Sequence, residues 1–145
     1  MLSKAIVKYI QSLRHKKLRE QHHAFIAEGP KVVTDLLVSG EFLCNMICAV
    51  DDWFEENEEL FTVVKKENKI KITEFELQKI SLLNTPNKVV AVFDKKPAGA
   101  LNVKKSINLM LDNIQDPGNM GSIIRIADWF NIKKINLLYT IILSI

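Results

Sequence analysis

Apolar residues recur at helical spacing from the start of the chain. Ile6, Ile10, Leu13 and Leu18 form one narrow stripe in an otherwise basic stretch, so residues 3–20 are expected to be helical, with a break near Ser12 and Ser3 as the opening cap. Ala24-Phe25-Ile26-Ala27 reads as a short strand. Glu28-Gly29-Pro30 then turns the chain into a helix with Pro30 at its first position, where a missing N–H is harmless, and Gly40 at its end. Residues 43–50 form a second strand, followed by a helix to about Glu59 capped by Asp51-Asp52. Residues 61–64 and 70–72 are short strand candidates. Thr73-Glu74-Phe75-Glu76 has the form of a helix start, with Phe75, Leu77 and Ile80 as the apolar positions. Asn84-Thr85-Pro86-Asn87 is a turn, and Lys88 to Phe93 is the clearest strand of the first half. Strands alternating with helices predict an α/β fold with a mostly parallel sheet.

The pattern changes after Phe93. Asp94 to Lys105 is rich in Lys, with Pro97 and Gly99, and divides the chain into a first domain of residues 1–94, a linker of 95–105 and a second unit of 106–145. In that unit Ile107 to Leu111 is a buried-type strand, Asp112 to Met120 a polar turn, Gly121 to Phe130 a helix, and Ile135 to Leu138 the start of another strand. This is one βαβ unit, and no internal repeat is visible.

Composition narrows the class. At 48% hydrophobic residues with only 5 Gly and 4 Pro, the chain is a folded protein rather than a disordered one. A net charge of +3 permits nucleic-acid binding without arguing strongly for it. Cys44 and Cys48 lie in an apolar strand with no second Cys pair or nearby His, so no metal site is expected. They read as buried, reduced thiols, a redox or metal pair being the alternative. The start lacks a signal-peptide pattern and no apolar run reaches the roughly 20 residues of a membrane span, although Leu137 to Ile145 is apolar. The expected compartment is the cytoplasm, with no membrane partner.

Candidate chemistry concentrates between Leu111 and Asn131. Gly118 and Gly121 let backbone approach a ligand, Asn119 offers an amide donor and acceptor, and the following helix N-terminus presents free N–H groups to an anion. Arg125, one helical turn past Gly121, can grip a phosphate with two N–H groups. These residues also fit a plain βα turn capped by Asn119 or Ser122. A nucleotide-binding reading is weaker, because neither Gly-x-Gly-x-x-Gly nor a Walker Lys-Ser/Thr is present. Lys4, Lys8, Arg14, Lys16, Lys17 and Arg19 cluster near the start, while Lys95, Lys96, Lys104 and Lys105 flank the linker. Sharing one surface, they would form an electrostatic footprint for phosphate, countered by the acidic stretch Asp51 to Glu59. His15, His22 and His23 are read as surface residues, with RNA contact as the alternative; Trp53, Trp129 and most Phe residues are read as core.

Asp112 through Ala127 resembles the first motif of the SpoU/TrmH family of RNA 2'-O-methyltransferases, in the knotted SPOUT superfamily, whose string is D-x-I-x-D-P-x-N-x-G-x-I-x-R-x-A. Phe25 to Val33 is similar to the F-x-x-E-G-x-x-x-V of that family's RNA-substrate-binding domain. The resemblance implies a small α/β/α sandwich RNA-binding domain, then the first βαβ unit of a knotted methyltransferase domain. It also implies rRNA or tRNA as substrate, S-adenosyl-L-methionine as methyl donor, and a homodimer for the intact protein. Arg125 and Asn119 are then the catalytic candidates, Arg125 also binding RNA phosphate. Glu28, Lys16, Lys17 and Arg19 are the other RNA-binding candidates, Glu28 being equally readable as a structural charge near a helix start. The family's second and third motifs, which supply the knot, the donor pocket and much of the dimer interface, are not found after Lys134. The chain is therefore expected to be an inactive fragment with no cofactor-binding residue of its own, or an RNA-binding module without turnover.

Overall fold

The structure, a computed structural model, describes residues 2–97, 107–114 and 116–137, and the chain divides into two compact units, Met1–Pro97 and Ala98–Ile145. The first unit opens with α1 (Lys4–Ser12), started by the Ser3 hydroxyl, which accepts the Ile6 N–H at 3.2 Å, and continues with α2 (Lys16–Gln21). The expected break near Ser12 is present. Leu13 is fully buried at the corner, and Arg19 Nη1 donates to the carbonyls of Leu13 at 3.0 Å and Arg14 at 2.6 Å, which would otherwise lack partners at the end of a helix.

β1 (Ala24–Glu28) leads into α3 (Pro30–Ser39), bounded by Gly29 at φ 87° and Gly40 at φ 62°, two backbone conformations that favour glycine. β2 (Cys44–Ala49), α4 (Asp51–Glu56), β3 (Lys69–Lys71), α5 (Glu74–Ile80) and β4 (Val89–Asp94) complete the unit. The sheet order is β1-β4-β2-β3. It is not mostly parallel: β4 inserts between β1 and β2 and runs antiparallel to both, and only β2 and β3 pair in parallel within this sheet. Alternation of strands and helices counts the elements but does not say where the last strand inserts. Val89 to Phe93 are all buried although successive residues point to opposite faces, so both faces of the sheet are covered, as in an α/β/α sandwich. α3 packs on β1 and β4, and α5 on β4.

Three local expectations change. Residues 61–64 are not a strand, since Glu58–Val63 is a 3-10 helix and β3 takes the place beside β2. Asp51 and Asp52 do not cap α4, whose N-cap is Val50 with no side-chain bond; they sit in the first turn, where negative charge favours the helix dipole. Phe75 lies outside the core, 66% exposed, while Leu77 and Ile80 are buried.

In the second unit β5 (Asn108–Leu111) pairs in parallel with β6 (Lys134–Leu137), connected by α6 (Pro117–Trp129). This is the expected βαβ unit, but α6 begins at Pro117 rather than Gly121, because Asp116 caps it and Pro117 is suited to the first turn. Asn131 at φ 55° ends it, and the Ile132 N–H returns to the Ala127 carbonyl at 2.7 Å. Met120 and Ala127 are buried. Trp129 is 86% exposed, contrary to the core reading, because it lies off the face that these two residues bury. Lys104, Lys105, linker residues 98–105 and the apolar stretch from Leu138 onward lie outside the described residues.

Candidate functional site

The turn after β5 is built around a carboxylate that sequence reasoning overlooked. Asp116 Oδ1 accepts the Asn119 backbone N–H at 2.6 Å, so neither Asn119 nor Ser122 is the cap. Gly118 leaves room for this cap, since a Cβ there would lie 3.1 Å from Asp116 Oδ1 and require that side chain to shift slightly. Ser122 turns back onto the Gly118 carbonyl at 3.0 Å. A Cβ at Gly121 would meet nothing within 4 Å, which leaves that surface open. The Asp-Pro pair was the signal for an earlier helix start, being an N-cap residue followed by proline at the first helical position.

Asn119 and Arg125 are both exposed on α6, and neither side chain has a hydrogen-bond or ion-pair partner among the described residues. Asn119 sits in the first turn of α6 and Arg125 farther along it. The guanidinium is thus available to an anion from solvent. Asp112, Asn113, Asp116, Gly118 and Asn119 are exposed, so these residues form an open turn rather than an enclosed pocket for a nucleoside-sized ligand.

In the first unit the basic residues separate by role. Lys17 is exposed without a partner among the described residues, and Lys16 is exposed beside it on α2. Arg19 is half-buried, its Nη1 bound to backbone. Lys95 pairs with Glu20 of α2 at 2.7 Å, and that ion pair and its hydrogen bond hold the Glu20 carboxyl below the usual carboxylate range. The start of the linker therefore shares a surface with α2. Lys96 pairs with Glu41, so the cationic character of Lys95 and Lys96 is offset by carboxylates. The acidic helix α4 is compensated at two of its four carboxylates: Asp51 pairs with Lys71 at 2.6 Å and Glu56 with Lys88 at 3.3 Å.

Glu28 is half-buried at the end of β1, and both carboxylate oxygens accept bonds from within the protein, from the Ser81 hydroxyl at 2.6 Å and the Leu82 N–H at 2.7 Å. These bonds tie Glu28 to the chain just after α5. Cys44 and Cys48 are free and buried, and burial pushes their thiols up to about 11 and about 12 respectively. Among the described residues no helix is long and apolar enough to cross a membrane.

A covered mixed sheet followed in the same chain by a βαβ unit is a fold shared with solved RNA methyltransferases. Its TM-score is 0.77 to an RNA methyltransferase of the TrmH family from Porphyromonas gingivalis, 36% identical, over 94% of this chain and 52% of that one. It is 0.76 to an AdoMet-bound rRNA methyltransferase from Sinorhizobium meliloti, 26% identical, over 97% of this chain and 54% of that one. The chain belongs to the MRM3-like substrate binding domain family, whose model matches residues 4–91. It is also similar to the mitochondrial rRNA methyltransferase 3 of Xenopus laevis, 32% identical over 142 residues, and to the mitochondrial rRNA methyltransferase 3B of Danio rerio, 27% identical over 131 residues. The chain spans about a third of the length of these two relatives, 33% and 28% respectively.

Proposed function

We propose that this chain is the RNA-presenting part, with the first catalytic motif, of an S-adenosylmethionine-dependent RNA 2'-O-methyltransferase. Ribosomal RNA is the substrate favoured by the relatives' names. The observation that carries the reading is the combination, in one chain, of a substrate-binding fold with an exposed Arg125, without a partner among the described residues, on the helix of the motif. Residues 1–94 then present RNA, 95–105 link, and 106–145 contribute to the catalytic domain.

Arg125 binds an RNA phosphate and stabilises negative charge developing on the target ribose oxygen. A guanidinium stays protonated, so this electrostatic role is preferred to that of a general base. Asn119 shapes the site from the first turn of α6. S-adenosylmethionine supplies the methyl group when bound. The described residues do not fit it, because the turn after β5 is open. That openness favours the second reading, that this chain alone binds RNA without turnover. A homodimer is proposed for the intact protein, supported by the exposed apolar Ile126, Trp129 and Phe130. A cytoplasmic location is proposed beside the mitochondrial one carried by the relatives' names, and fractionation of cells expressing the intact protein decides between them.

The test is transfer of a radiolabelled methyl group from S-adenosylmethionine to ribosomal RNA. It is run on this chain and on a chimera in which the Porphyromonas gingivalis relative supplies the sequence after residue 137. The chimera is expected to methylate RNA and its Arg125→Ala variant to be slower by about a hundredfold or more. This chain alone is expected to bind without turnover. A chimera that binds and turns over with Arg125→Ala unimpaired would contradict the assignment.

A further inference from the structure

Ser81, 5% exposed, ends α5 at the centre of a small hydrogen-bond node. Its hydroxyl donates to Glu28, beside the Leu82 N–H that donates to the other Glu28 oxygen, and accepts the Leu83 N–H at 3.0 Å, while its carbonyl accepts Arg14 Nη2 at 2.8 Å. Bonds to a carboxylate and from a guanidinium are the stronger, charge-assisted kind. The far end of the same loop is also fixed. Lys88 adopts φ 53°, uncommon for a residue with a side chain, and its carbonyl accepts the Val50 N–H at 3.1 Å, while the Val89 carbonyl accepts the Gly29 N–H at 3.0 Å.

Between these anchors Asn84, Thr85 and Asn87 are exposed. Asn87 and Lys88 line an open cleft of about 600 Å³ together with Lys31, Thr34, Asn57 and the carboxylates of Asp35 and Glu56, the latter paired with Lys88. Lys31 is exposed and has no ion-pair partner among the described residues. The loop thus combines amide groups, each a donor and an acceptor, with a nearby cation, on a backbone already held in place. Amides suit the base edges of unpaired nucleotides, a cation suits phosphate, and a pre-ordered loop loses less entropy on binding.

We propose that residues 84–88 read an unpaired nucleotide of RNA, and that Glu28 is the positioning residue that holds this loop rather than an RNA contact. The proposal rests on the RNA reading above. Glu28 is unsuited to direct phosphate contact because it carries the same sign of charge and both of its oxygens already accept internal bonds.

Fluorescence anisotropy of the whole chain tests it with two labelled probes, an RNA hairpin with an unpaired mixed-sequence loop and a blunt RNA duplex of equal length. An Asn84→Ala/Asn87→Ala variant, altered only at exposed positions, is expected to bind the hairpin about tenfold more weakly, equivalent to about 1.4 kcal/mol, and the duplex as before. Glu28→Gln is expected to weaken hairpin binding without changing its salt dependence. It should have no further effect in a Ser81→Ala background, while Ser81→Thr retains binding. Hairpin binding intact in the loop variant, or Glu28→Gln and Ser81→Ala losses that multiply, would overturn the inference alone. A wild-type chain that binds neither probe would overturn the RNA reading, and this inference with it.

Discussion

Burial sets the chemistry of the two thiols. With Cys44 raised to about 11 and Cys48 to about 12, mainly by desolvation, native thiolate is scarce at neutral pH, and reactivity depends on thiolate. The native chain is expected to resist a thiol reagent at pH 8 and to react at both positions once unfolded. Fast modification of the folded chain would contradict this. The sign of the linkage is alkaline: the stabilisation is present below the ordinary thiol value of 9.0 and is lost as pH rises from there through about 11 to 12. Melts of wild type and Cys44→Ala/Cys48→Ala across that window should therefore show a shallower alkaline decline in the variant. The aromatic residues separate by the same physics. Trp53 is 1% exposed, and Trp53→Ala is expected to cost about 3–5 kcal/mol by denaturant unfolding. Trp129→Ala, at an exposed site, should change stability by less than about 0.5 kcal/mol.

At the level of elements, caps decide where helices begin. Asp116→Ala is expected to remove about 1 kcal/mol from the start of α6, read as faster hydrogen exchange at the Asn119 amide. Unchanged protection there would show that Asp116 is dispensable. α5 has a capping box in which Thr73 Oγ1 accepts the Glu76 N–H at 3.2 Å and Glu76 Oε2 accepts the Thr73 N–H at 3.0 Å. The Leu2 N–H also donates to Glu76, and with the Thr73 bond it holds the Glu76 carboxyl below its usual range. A depressed carboxylate contributes stability above its unfolded value and loses it as pH falls through the folded one. Acid melts should accordingly show wild type approaching Glu76→Gln below the ordinary carboxylate range. Most elements were legible because periodicity, the Pro30 and Gly40 boundaries and the capping-box residues are local. The antiparallel insertion of β4 and the 3-10 helix at Glu58–Val63 were not, because each depends on which strand occupies a neighbouring position. Within the candidate site, Asn119 and Arg125 could be read from the motif string. Ser81 could not, since its bond to Glu28 spans 53 residues of sequence.

Across the whole molecule a modest charge of +3 conceals an uneven distribution. Lys95 and Lys96 are tied to carboxylates, whereas Lys17 is exposed on α2 without an ion-pair partner among the described residues, beside the exposed Lys16, and we propose α2 as the basic edge at which the first unit meets phosphate. The most direct measurement is the affinity of this chain for the labelled RNA hairpin as a function of potassium chloride concentration. The logarithm of the affinity is expected to fall linearly with the logarithm of salt, with the slope shallower by about two in a Lys16→Ala/Lys17→Ala variant. A wild-type slope left intact in that variant, or no binding at low salt, would contradict it.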